Sequence, residues 1–170
     1  MSRDHLLAEV VARAFADFAS HLDARPVQGD PYGDLQEIGK AYLSYAAAHP
    51  LNYRLMFGTP LPDPDKHTQM MRKARHAFGV LRDAISQLPV PDGQARGPSP
   101  DADALYVWSK MHGLASIMQS GAITTLSLPP GMIADLQSHA FARLHAALTG
   151  DVPAEALQTW PESMMQELAE

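Results

Sequence analysis

The chain has no cysteine among its 170 residues, which excludes a disulfide framework and thiolate chemistry. No apolar run reaches membrane-spanning length, so no bilayer partner is expected. The stretch 6–18 is too often interrupted, by Glu9, Arg13 and Asp17, to read as a secretory leader. Positive charge is scarce: 13 Lys and Arg stand against 19 Asp and Glu, a net charge of −6. Duplex DNA is bound by clustered cations that displace counterions, and this balance argues against such binding as the chain's own main task. Strand alternation and internal repeats are missing too.

The motifs of catalysis are equally thin. There is no Gly-rich phosphate loop, nucleophile elbow or zinc-protease signature. Carboxylates fall on polar helix faces and in loops, not in apolar surroundings that would raise a catalytic pKa. The eight histidines are scattered. Asp135, His139 and Arg143 follow at four-residue steps, which suits surface or interface ion pairs better than a metal site. Lys66, His67, Arg72, Lys73, Arg75, His76 and Arg82 give one basic helix, whose charges are expected on a solvated face opposite its apolar one. No enzyme, cofactor or metal is therefore expected, and a cytoplasmic location fits.

What the chain does have is helical periodicity. With 46% hydrophobic residues it is long enough for one globular domain, expected over 1–150 with a tail at 151–170. Helices are predicted at 4–24, 34–48, 51–57, 66–88, 101–122 and 129–148, with a further short one at 161–168. The intervals 26–33, 59–65 and 89–100 carry Pro and Gly and read as loops. Ser2 is placed to cap the first helix. Pro50 ends one helix and starts the next, and Gly58 closes that short restart with Pro60 and Pro62 behind it. The helix at 101–122 is apolar on more than one face and should be covered on two sides. The fold class is all-α, a multi-helix bundle.

Three patterns carry a resemblance. The first is His49-Pro50-Leu51-Asn52-Tyr53-Arg54-Leu55-Met56-Phe57-Gly58. The second is Trp108, His112 and Gly113 within Trp-Ser-Lys-Met-His-Gly-Leu-Ala. The third is Arg3-Asp4-His5-Leu6-Leu7-Ala8-Glu9-Val10. Together they resemble the C-terminal effector-binding and dimerisation domain of TetR-type transcriptional repressors, in the subgroup named for its Trp-His-Gly pattern. The resemblance spans about residues 3–148.

That resemblance implies a pocket inside the bundle for a small, largely apolar effector. Mapped onto the apolar faces, its candidates are Phe15, Phe18, Tyr42, Tyr45, Tyr53, Met56, Phe57, Met70, Phe78, Trp108, Met111 and His112. Each taken singly also reads as ordinary core. For His112 the alternatives are a core histidine holding a backbone carbonyl and a ligand contact. The resemblance also implies a homodimer through the last two long helices, as a four-helix interface. Candidate contacts are Gly113, Ile117, Ser120 and Gly121 on one helix and His139, Arg143 and Ala146 on the next. A monomer with a thick core is the alternative. In such repressors a pattern like Arg3 to Val10 follows an N-terminal helix-turn-helix, so the expectation is a regulatory half without its DNA reader. This chain alone would then not bind DNA, although a full-length protein carrying the reader would. An interaction module pairing with a full-length relative is a second expectation, and a small helical enzyme a disfavoured third.

Overall fold

The computed structural model describes residues 2–90, 100–129 and 131–150. All its regular structure among the described residues is helical: α1 (Arg3–Asp23), α2 (Pro31–Ala48), α3 (Pro50–Phe57), α4 (Thr68–Ser86), α5 (Pro100–Ser120), a short 3-10 helix (Ala122–Leu126) and α6 (Met132–Thr149). The expected tail helix at 161–168, the tail itself and most of the 89–100 loop lie outside the described residues.

Helix α1 begins where the Ser2 hydroxyl accepts from the His5 N–H at 3.2 Å, and Asp4 favours the positive end of its dipole. Its buried stripe, Val11, Phe15, Phe18 and Leu22, advances by three or four residues and so lies on one face. Helix α2 starts three residues before the predicted 34. Asp30 caps it by accepting from the Tyr32 and Gly33 N–H groups at 3.3 and 2.7 Å, and Pro31 takes the first helical position, where its missing N–H costs nothing. Residues that read as loop breakers are here the helix start.

The break at Pro50 forms as expected. His49, with φ −126° and ψ 56°, leaves the helical region, and α3 restarts at Pro50. Helix α4 begins at Thr68 instead of 66, because Lys66 pairs back to Asp63 at 2.9 Å in the turn before it. Helix α5 ends at Gly121, whose φ of 67° is in the left-handed region that side chains disfavour, and the chain then turns through the unforeseen 3-10 segment. Helix α6 starts at Met132, later than the predicted 129.

Helix α1 is central: it packs on α4 most extensively and on α2 and α3. Helix α5 lies across α2 and α4, and α6 rests on α2 and α5. Leu136, Ala140, Phe141, Leu144 and Leu148 of α6 face the core. The same spacing would turn Ile133 inward, but it is exposed.

Candidate functional site

A cavity of about 670 Å³ opens within the bundle, in the size range of small-molecule sites. Its walls follow from helical periodicity. Phe15, Phe18 and Leu22 come from α1; Leu35, Ile38, Gly39 and Tyr42 from α2; Ala74, Ala77, Phe78 and Leu81 from α4. Each set repeats at steps of three or four, which keeps it on one helix face. Helix α5 adds Val107, Trp108 and Met111. The Pro50 break turns α3 so that Met56 and Phe57 reach the same space.

Phe57 is the junction of the aromatic wall. Its ring lies 5.7 Å edge-on from Phe15, 6.1 Å from Phe18 and 5.9 Å from Trp108. Phe78 meets Trp108 edge-on at 6.1 Å. Such edge-to-face pairs satisfy the ring quadrupoles and fix the wall's shape.

One wall ends on a polar cluster. The Tyr53 hydroxyl lies 2.7 Å from His112 Nδ1, and the Tyr42 hydroxyl lies 3.0 Å from Tyr53 and 3.3 Å from the same ring nitrogen. Burial pushes the Tyr42 and Tyr53 phenols above their ordinary value and the His112 imidazole below its own. All three are therefore neutral near pH 7. With His112 carrying its proton on Nε2, a single chain of donation satisfies them: Tyr42 O–H to Tyr53, and Tyr53 O–H to His112 Nδ1. Among the described residues His112 thus bonds tyrosine hydroxyls and no backbone carbonyl. The cluster is a neutral hydrogen-bonding unit.

Among the predicted site residues, Phe15, Phe18, Tyr42, Met56, Phe57, Phe78, Trp108 and Met111 line the cavity. Tyr53 and His112 stand one layer back, behind Tyr42. Tyr45 is 1% exposed and serves the core: its hydroxyl donates to the Ala14 carbonyl at 3.3 Å and accepts from Asn52 Nδ2 at 3.3 Å, tying α2 to α1 and α3. Met70 is likewise buried away from the cavity. Sequence reasoning missed Arg75 and Arg82, which sit exposed on the cavity's lip with Thr59, Leu61 and Leu105. They were assigned to a solvated face opposite the apolar one. The spacing Arg75, Phe78, Arg82 could have revealed them, since steps of three and four put both cations beside a wall residue.

Behind Gly39 lies a second cavity of about 390 Å³ between α2, α5 and α6. A side chain at Gly39 would overlap the Phe141 ring of α6, so glycine there permits the close approach of the two helices. Of the predicted dimer contacts, Ile117, Ser120, Gly121, His139, Arg143 and Ala146 are exposed and Gly113 half-buried. Asp135, His139 and Arg143 form no ion pair among the described residues, and no cluster of three or more His, Asp or Glu there could hold a metal. No helix among the described residues is long and apolar enough to cross a membrane.

An all-helical bundle with an apolar internal cavity defines a class of small-molecule-sized binding domains, and comparison narrows it. The sequence family described as "Tetracyclin repressor-like, C-terminal domain" matches residues 35–144, and the chain belongs to that family. The match takes in both the Pro50 motif and the Trp108, His112, Gly113 pattern. The chain is also similar to a solved structure described as "Crystal structure of putative regulatory protein SCO4313", with 26% identity and a TM-score of 0.63 over 84% of this chain and 73% of that one. No curated protein matches it. The family is one of transcription regulators, which points away from catalysis.

Proposed function

We propose that this chain is the effector-sensing, dimerising domain of a TetR-like transcription regulator, acting without catalysis in the cytoplasm. The observation that carries the reading is the cavity, whose apolar wall draws on α1, α2, α3, α4 and α5 at once. A molecule seated there touches every element that sets the position of α1. If it fits one arrangement of these helices better than another, it shifts the population toward that one. The contacts are Phe15, Phe18, Tyr42, Met56, Phe57, Phe78, Trp108 and Met111, with Tyr53 and His112 acting through Tyr42.

A thermal-shift screen against apolar and aromatic metabolites tests this. A ligand that binds only the native state must stabilise it, by about 2.7 kcal/mol at a hundredfold excess over Kd. If no compound raises the melting temperature, the sensing reading loses its basis.

The dimer part of the proposal rests on the outer side of α5 and α6. Ile117 and Met118 of α5, Met132 and Ile133 of α6, and Leu126 and Leu128 in the segment between them are all exposed, apolar residues that a second copy would cover. Light scattering at micromolar concentration should give twice the chain mass, and Ile117→Asp with Ile133→Asp should halve it. A wild-type monomer would remove the dimer from the proposal, and pairing only with a full-length relative would replace it with an interaction module.

A further inference from the structure

We propose that the cavity's effector is an amphipathic organic anion, with its apolar body among the aromatic residues and its anionic head held at the lip by Arg75 and Arg82. This rests on the effector-cavity reading above and specifies its ligand. The chain as a whole is acidic, with a net charge of −6, yet the residues lining the cavity include two arginines and, among the described residues, no carboxylate. The site thus has the opposite sign to the molecule that carries it.

The two cations are well placed for one head group. They stand two helical turns apart on α4, about 10 Å along the axis, with Phe78 between them. Phe78 in turn packs edge-on against Trp108, so the arginines border the aromatic wall directly. Their long side chains can converge over Phe78 on a single carboxylate, where the planar guanidinium offers paired donors. Arg75 and Arg82 also border an open groove on the other side, where Asp23 of α1, Asp34 of α2 and Asp83 of α4 stand with them. Arg75 nevertheless makes no ion pair among the described residues, and Arg82 pairs only with its neighbour Asp83, at 3.3 Å and half-exposed. The exposed leucines Leu61 and Leu105 complete the lip, so apolar contact begins where the charge contact ends.

Calorimetric titration of the full chain with dodecanoate, dodecan-1-ol and dodecylammonium, each below its self-association limit, tests the assignment. The acid should bind at least tenfold more tightly than the alcohol, the ammonium least, and the acid's advantage should shrink as salt rises. In Arg75→Gln with Arg82→Gln the ratio of acid to alcohol affinity should fall to within about twofold of one. Arg75→Glu with Arg82→Glu should turn the preference toward the ammonium. Both positions are exposed, so melting of the unliganded variants reports whether the fold is kept. If the alcohol binds wild type as tightly as the acid, or if the acid's advantage survives either double variant, the anion assignment is overturned while the cavity reading stands. If none of the three probes binds, the cavity reading falls and the assignment falls with it.

Discussion

Helices α1 and α6 are of comparable length, 21 and 18 residues, but α1 buries eight side chains and α6 only Leu144. Composition does not explain the gap, since both carry regular apolar stripes. Position does. Helix α1 has α2, α3 and α4 around it, whereas α6 rests on α2 and α5 and turns its other side outward. The inner helices close their core within one chain and still leave a space inside it. The outer helices leave apolar residues such as Ile117 and Ile133 facing away from that core. On the proposed reading, the inner region encloses a small effector and the outer region meets a second copy.

The sharpest test of this contrast compares two isoleucines. Ile85 of α4 is 2% exposed and Ile133 of α6 is 42% exposed. Ile85→Ala should cost about 2–5 kcal/mol, because it removes buried methylenes and leaves a void. Ile133→Ala should stay within about 0.5 kcal/mol for the dilute chain. Urea unfolding midpoints measure both. Equal costs would mean that α6 is as much a part of the protomer's core as α4, and the contrast would fail.

The seam between the regions comes next. Alanine at Gly39 should gain about 1 kcal/mol from helix propensity and lose about 1–3 kcal/mol from overlap with the Phe141 ring, leaving the protein less stable. In a Phe141→Leu background the overlap is relieved and Gly39→Ala should become neutral or stabilising. Melting temperatures of the four proteins give the coupling directly. Additive effects would show that α6 does not press on α2 at this point.

Much of this was legible in the sequence, and the failures have physical causes. The α2–α3 break was readable because Pro50 and Gly58 restrict the backbone whatever surrounds them. The start of α2 was misread because Pro31 is a helix breaker inside a helix but a starter at its first position; only the Asp30 cap settles which. Periodicity placed Phe15, Phe57, Phe78 and Trp108 in the bundle, though it also turned Ile133 inward, where it is exposed. It could not tell Tyr45 and Met70, which fill the core, from Tyr42, which borders space, because a cavity depends on what is missing opposite a residue. Arg75 and Arg82 escaped for the converse reason: a wheel sorts residues into inside and outside, and a lip is neither.

Within the inner region, the polar cluster should contribute less than the apolar packing around it. Tyr53→Phe keeps the buried ring but removes the 2.7 Å bond to His112 Nδ1 and the 3.0 Å bond to Tyr42, leaving only the longer 3.3 Å contact between the Tyr42 hydroxyl and that nitrogen. The expected cost is about 1–2 kcal/mol, in the range for an intramolecular hydrogen bond whose partners lose solvent. Denaturant unfolding measures it. A cost matching that of Ile85→Ala would reverse the ranking and make the cluster the organising feature of the site.

The smallest expected effect is a pH dependence. Burial disfavours the His112 imidazolium, so its folded pKa lies below the ordinary 6.5. Above pH 6.5 the ring is neutral in both the folded and the unfolded chain, and the full stability is present. As pH falls through 6.5 the unfolded chain takes up the proton first, so stability declines until the folded pKa is passed. The ceiling for one proton is about 1.4 kcal/mol per pH unit, and the partly exposed ring, screened by solvent, should fall well short of it. His112→Gln can still accept from Tyr53 but cannot titrate, so its stability should lose this part of the decline below pH 6.5. Parallel pH profiles for wild type and variant would mean that the imidazole is as well solvated as in the unfolded chain. The cluster would then belong to the open surface, and the inner region would enclose less than its geometry implies.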